Sequence, residues 1–178
     1  MAIKPTIYKL RTTINDSDRN IYDTAQLTIA QHPSENIERM VARILAYCLN
    51  FEEYLRFTKG LSAVEEPDLW IKTLDGRLSL WIDIGEPNPE RIRKAARTCS
   101  RVKIYTFNTK SDTWWSLNQE KLSGINVSVY QFQWAEIENL AKYIKRSMDI
   151  SITISGGTAY ISTQTDDCQV SWSTLQSR

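Results

Sequence analysis

Residues 65–89 read EEPDLWIKTLDGRLSLWIDIGEPNP, two strand-like runs on either side of Asp75-Gly76. An Asp-Gly pair is a strong hairpin signal, because two-residue hairpin turns hold both central residues at positive φ. Such a turn at Asp75-Gly76 pairs Trp70 with Trp81 and sets Asp68 opposite Asp83. Leu69, Ile71 and Thr73 with Leu78, Leu80 and Ile82 then take the reverse face, which is plain core. The two acids have β-carbons ~5 Å apart, and like charges directly opposite one another destabilise a ladder. A cation between them removes that cost.

The flanking sequence sets the fold class. Asn88-Pro89 opens a helix, PERIRKAARTCS, with a small apolar line of Ile92, Ala95, Ala96 and Cys99. A strand RVKIYTF, a helix around TWWSLNQEKL, a strand NVSVYQF and a long amphipathic helix QWAEIENLAKYIKRSM follow. Strands alternating with helices imply crossover connections and parallel pairing. Upstream, HPSENIERMVARILAYCLNFEE is a helix opened by Pro33, with Ile37, Val41, Ile44, Leu45 and Cys48 on one stripe. At ~100° per residue Glu38 falls at the edge of that stripe, beside Leu45, whereas Glu35 falls near the opposite side. Glu38 is therefore the carboxylate expected along the packed interface.

Both ends of the chain read as antiparallel strands. Residues 7–30 form two alternating runs across NDSDRN, and residues from 150 onward form a meander turning at Gly156-Gly157 and Asp166-Asp167. Asp16, Asp18 and Asn20 match the opening of a calcium loop, but Ile21 and Leu27 fill its glycine and glutamate slots, so this is a polar turn. Ile152, Ile154, Ala159, Ile161, Val170 and Trp172 share one face of the meander, and the N-terminal hairpin is its expected partner. The expected fold is α/β, one domain over residues 1–178. A central mixed sheet is flanked by helices, and a second antiparallel sheet forms from the N- and C-terminal strands.

The chain has 178 residues, 42% apolar and 24% charged, with a net charge of +1. That composition excludes a disordered chain and any global field drawing it to polyanions. A local grip on nucleic acid remains, through Arg91, Arg93, Lys94 and Arg97, with Arg101 and Lys103 close behind; the competing reading is a charged helix face balanced by acidic neighbours. Cys48, Cys99 and Cys168 lack CxxC spacing, which argues against a zinc site or a disulfide framework and fits a reducing compartment. The N-terminus has no apolar leader, and Arg43 interrupts the longest apolar stretch, so a cytoplasmic protein without membrane spans is expected. His32 is the single histidine, and no serine or cysteine sits in a nucleophile motif.

Facing carboxylates suit Mg2+, a hard ion bound by one or two carboxylates, water and substrate phosphate. Such an ion activates water and stabilises a phosphoryl transition state. The bland alternatives are specific too: Asp68 as a turn residue where the strand begins, Asp83 paired with Arg91 or Arg93, and Glu38 paired with Arg39 or Arg43. Trp70 and Trp81 read as a cross-strand packing pair.

HPSENIERM, EEPDLW, LWIDIGEP and IRKA, in this order over nearly the whole chain, resemble the YaeQ family of small bacterial proteins. Glu38, Pro67-Asp68, Asp83-Ile84-Gly85 and Lys94 are also similar to the PD-(D/E)XK nuclease core, which implies a restriction-endonuclease-like fold. That resemblance makes Glu38, Asp68 and Asp83 the Mg2+ ligands and calls for a water-orienting lysine two residues after the second acid. Gly85 stands in that slot, and the similarity to YaeQ points to Lys94 as its replacement. The helical wheel turns Lys94 almost opposite the apolar stripe, so it reaches the acids only where the helix start abuts the strand end.

Two functions follow as expectations. One is a Mg2+-dependent phosphodiesterase or nuclease, whose ion binding disappears in Asp83→Ala. The other is a non-catalytic interaction or regulatory protein on the same architecture. In that case Asp68→Ala and Asp83→Ala leave function intact and raise stability by removing repulsion.

Overall fold

The computed structural model describes residues 3–178. Its strands are β1 (Thr6–Asp16), β2 (Ile21–Gln31), β3 (Leu55–Phe57), β4 (Leu69–Lys72), β5 (Leu78–Ile84), β6 (Val102–Thr106), β7 (Ser128–Phe132), β8 (Ser147–Ser155), β9 (Thr158–Ser162) and β10 (Asp167–Gln176). The helices are α1 (Ile37–Leu49), α2 (Pro89–Thr98), α3 (Ser111–Leu122) and α4 (Trp134–Ala141), with one 3-10 turn at Gly60–Ser62.

All ten strands join one mixed, nearly closed sheet in the order β2-β1-β8-β9-β10-β7-β6-β5-β4-β3. The expected parallel run is present: β5, β6 and β7 pair in parallel, crossed over by α2 and α3. The expected separation into two sheets is not. β10 is ten residues long and pairs with both β9 and β7, and it fuses the terminal strands to the central ones. The N-terminal hairpin joins the meander in that sheet, and the junction of β1 with β8 is parallel where an antiparallel sheet is expected. Parallel pairing from Lys9↔Ser147 onward also ends the last helix early, since residues 147–149 are taken as strand.

A sheet that curls this far needs something inside it, and α1 supplies it. Residues 40–48 are all buried, so the helix is enclosed on every side rather than docked by one stripe. Leu10, Ile14, Ile29, Leu69 and Ile82 from the sheet pack into the same core. On the outer face of the parallel strands, α2 and α3 cover a second core with Ile92, Ala95 and Trp114 against Ile104 and Val129. Strands buried on both faces explain the near-continuous apolar runs in β5 and β6.

The hairpin reaches its expected register by a different route. Thr73 N donates to Arg77 O at 2.9 Å, so three residues, Leu74-Asp75-Gly76, form the turn, and Gly76 alone of these takes positive φ, at 83°. Near the turn Lys72 pairs with Leu78, one step off the expected pairing. Ser79 then bulges out, Ile71 pairs with Leu80, and the register returns to Trp70↔Trp81 and Leu69↔Ile82. The paired tryptophans do not stack. Lys72 Nζ lies 3.9 Å over the Trp70 ring and the Arg91 guanidinium 5.5 Å over Trp81.

Candidate functional site: a carboxylate–arginine groove

At the end of β5 the chain leaves the sheet through Gly85, whose φ of 111° only glycine adopts without strain. It passes Glu86 and Pro87 to Asn88, whose side chain caps α2 by accepting from Glu90 N at 2.8 Å. Asn36 caps α1 in the same way, accepting from Arg39 N at 2.9 Å. Two helices thus begin at one place. Between their starts, the end of β5 and the 58–67 loop lies a groove of about 470 Å3. Acidic groups are favoured at helix N-termini, and Glu35, Asp68, Asp83 and Glu86 all line this groove.

Each hairpin acid already has an arginine. Arg39 Nη2 donates to both oxygens of Asp68, at 2.8 and 2.9 Å, and to Ile84 O at 3.2 Å. Asp68 Oδ2 also accepts from Ile84 N at 2.8 Å. Arg91 Nε donates to Asp83 Oδ2 at 2.9 Å and Nη2 to Oδ1 at 3.2 Å, while Trp81 Nε1 donates to Oδ2 at 3.0 Å. Burial pushes the Asp83 carboxyl above its ordinary range, and Arg91 and Trp81 pull the other way. Burial lowers Arg39 and Arg91, but their acid partners outweigh it and hold both guanidiniums above their usual value.

The carboxylate that reaches the groove at the start of the first helix is Glu35, not Glu38. α1 starts at Ile37, so Glu35 precedes the cap and escapes the wheel geometry that turned it outward. Arg43 Nε and Nη2 grip its two oxygens at 2.8 and 2.7 Å, and Arg39 Nη1 adds a contact at 3.1 Å. Glu38 sits half-buried in the first turn, outside the groove lining. The sequence signal for Glu35 is Arg43, the one charge in the apolar run of residues 40–49, which demands a buried acid.

Lys94 also lies elsewhere: its Nζ is 3.4 Å from Glu65, with 77% of the side chain exposed. Arg93 pairs with Glu90, Arg101 with Glu52, and Lys103 Nζ donates to Asn50 Oδ1 at 2.7 Å. Burial lowers the Lys103 pKa. Arg97 is the exposed member of the basic run without an ion pair among the described residues.

Mg2+ does not fit these side chains as they stand. Both oxygens of Asp68 and of Asp83 are taken by guanidinium groups, and Glu38 is displaced from them. No set of three or more His, Cys, Asp or Glu side chains converges for a metal among the described residues. The expectation that removing either acid relieves repulsion is overturned for the same reason, because each substitution strands an arginine. The polar group left over is Glu86, which sequence reasoning passed by. Its Oε1 is buried without a hydrogen-bond partner, and burial raises its pKa against the pull of Asn108, Lys110 and Arg39.

The architecture is a mixed α/β protein with a nearly closed ten-stranded sheet around a central helix and a groove of paired acids and arginines at one end. Residues 1–172 match the family model described as YaeQ protein, and the chain belongs to the YaeQ family. It is 35% identical over 178 residues to a protein of Escherichia coli (strain K12), covering 99% of this chain and 98% of that one. It is 36% identical over 172 residues to one of Salmonella typhi, covering 96% and 95%. Both are described as uncharacterized protein YaeQ. The crystal structure of YaeQ protein from Xanthomonas axonopodis pv. citri superposes with a TM-score of 0.95 at 31% identity, covering 98% of this chain and 99% of that one. That of YaeQ from Pseudomonas syringae gives 0.93 at 32%, covering 98% and 97%. No helix is long and apolar enough to cross a membrane among the described residues.

Proposed function

We propose that the groove is a non-catalytic recognition site, through which the protein binds a partner that brings a donor group to Glu86. The observation that carries this reading is the pairing of Asp68 with Arg39 and of Asp83 with Arg91. Four charges that neutralise one another build walls rather than a reactive centre. The nuclease-like lysine slot supports the same reading, since Gly85 at φ 111° is a backbone position hostile to lysine. Glu86 is a part-exposed carboxylate on the groove lining, and the half-exposed Leu61 and the exposed Val64 give the rim apolar contact area.

A second reading, divalent-ion-dependent phosphodiester cleavage with nucleic acid held along Arg91, Arg93, Lys94 and Arg97, is favoured by the collection of Asp68, Asp83 and Glu86 on one groove. It requires Arg39 and Arg91 to release both acids.

One experiment separates the two. The melting temperature is followed as MgCl2 and MnCl2 are titrated into wild type and Asp83→Ala. Recognition without catalysis predicts no ion-dependent rise. Cleavage predicts a rise in wild type that Asp83→Ala loses, since an ion at about 100 times its Kd adds ~2.7 kcal/mol to the folded state.

A further inference from the structure

A second hollow, of about 500 Å3, lies on the outer surface where β1, β2 and β8 run side by side. Strand alternation places Lys9 and Arg11 on this face, while Tyr8, Leu10 and Thr12 are buried on the other. The register sets Gln26 and Asp149 on either side of Arg11, and Ser147 beside Lys9. Lys145, from the link between α4 and β8, closes one wall, and residues 163–165 of the β9–β10 turn close another.

Three cations therefore face one hollow with a single lining carboxylate, Asp149. None of the three appears in any ion pair among the described residues. The contrast with the groove is sharp, since Arg39, Arg43 and Arg91 are each committed to buried acids. The side chains of Gln26, Tyr143 and Ser147, which line the same hollow, have no hydrogen-bond partner among the described residues either. Other groups nearby are already engaged: Arg146 Nε donates to Ile7 O at 3.1 Å, and Asp166 Oδ2 accepts from the Thr165 hydroxyl at 2.7 Å.

We infer that this hollow binds the phosphate group of a small phosphorylated molecule bearing hydroxyls. Residues two apart on a strand are ~6.7 Å apart and neighbouring strands ~4.8 Å apart. Lys9 and Arg11 thus flank one phosphate, with Lys145 reaching it from the rim. Charge-assisted bonds of this kind to phosphate are the strong ones. Asp149, an acceptor only when ionised, takes a hydroxyl of the same ligand beside Arg11.

The test is calorimetry on the full chain with ribose 5-phosphate, ribose and inorganic phosphate as probes. Ribose 5-phosphate binds, ribose does not, and inorganic phosphate binds about ten-fold more weakly, equivalent to ~1.4 kcal/mol. The double variant Lys9→Ala/Arg11→Ala loses at least about ten-fold in affinity for ribose 5-phosphate with an unchanged melting temperature, both residues being exposed. Lys145→Ala, on the opposite wall, weakens it too. The inference is overturned by no binding of ribose 5-phosphate, by wild-type affinity in the double variant, or by equal affinity for ribose 5-phosphate and inorganic phosphate.

Discussion

Arg91 Nε lies 2.9 Å from Asp83 Oδ2, and the same guanidinium donates to the carbonyls of Val64 and Glu66. One side chain therefore ties the first turn of α2 to the end of β5 and to the 58–67 loop that roofs the groove. The acid it holds is only 5% exposed and the arginine 30%.

Arg91→Ala leaves Asp83 buried and charged, with Trp81 as its remaining side-chain donor. Breaking a buried pair costs about 3–5 kcal/mol, and the partial exposure of Arg91 places this one near 3. Chemical denaturation at neutral pH measures it. The pH dependence has a definite sign. Burial already raises the Asp83 pKa in the folded state, and losing Arg91 raises it further, while the unfolded value stays ordinary. The penalty is complete above the folded pKa and fades as pH falls through it. The stability gap between wild type and variant therefore narrows toward acid, and a gap that widens there contradicts this account. Freed of its clamp, the 58–67 loop is also cleaved faster by protease.

The exchange of Glu35 for Glu38 is testable by a pair of substitutions. Glu35→Ala strands Arg43, 3% exposed, inside the curve of the sheet, and costs about 3–5 kcal/mol. Glu38→Ala removes a half-buried side chain with no hydrogen bond or ion pair among the described residues, and stays within about 0.5 kcal/mol. Equal effects from the two variants would restore Glu38 to the site.

These residues also show what was legible beforehand. Strand alternation and turn chemistry carried the hairpin pairing through Trp70 and Trp81, because the three-residue turn and the Ser79 bulge cancel each other's offset. The parallel β5-β6-β7 run followed from alternating elements. The fusion of the two sheets was not legible, since it depends on β10 pairing on both edges, a long-range choice that no local pattern encodes. In the site, Asp68 and Asp83 were found as a pair, but their counter-charges were not settled. Arg91 is one of two candidates for Asp83, and Arg39 and Arg43 are both read as partners of Glu38, with the helix start placed four residues early. An N-cap at Asn36 leaves Glu35 outside the helix, where the wheel does not set its direction and the chain entering α1 turns it toward Arg39 and Arg43.

Gly85 occupies the slot where the nuclease pattern carries lysine, so Gly85→Lys asks whether charge alone is missing. A Cβ built there meets nothing within 4 Å, so the obstacle is φ of 111° and not crowding. Strain of that kind costs on the order of 1–3 kcal/mol. Gly85→Ala and Gly85→Lys are then destabilised equally, to within about 0.5 kcal/mol on denaturation. Gly85→Lys gains no Mg2+-dependent cleavage of a fluorescent oligonucleotide, because Arg39 and Arg91 still hold the acids. Cleavage by this variant would favour the hydrolase reading.

The three thiols order themselves by burial, which gives a probe of global opening. Cys48 is enclosed in α1, and burial pushes its pKa up to about 12. Cys99 is buried, with its pKa raised by burial, and its Sγ donates to Arg101 O at 3.3 Å. Cys168 is half-buried near the start of β10, also raised by burial and by Asp167 and Asp166. The thiolate is the reactive form, and the burial that raises the Cys48 pKa keeps that thiol protonated in the folded protein. In native protein a thiol reagent therefore modifies Cys168 first, while Cys48 reacts only through molecules in which α1 has left the curled sheet. Because α1 anchors Arg39 and Arg43, Arg91→Ala and Glu35→Ala should accelerate Cys48 labelling by the factor their stability losses dictate, about ten-fold per 1.4 kcal/mol. Labelling of Cys48 at an unchanged rate in both variants would mean that the helix opens locally, independently of the groove that caps it.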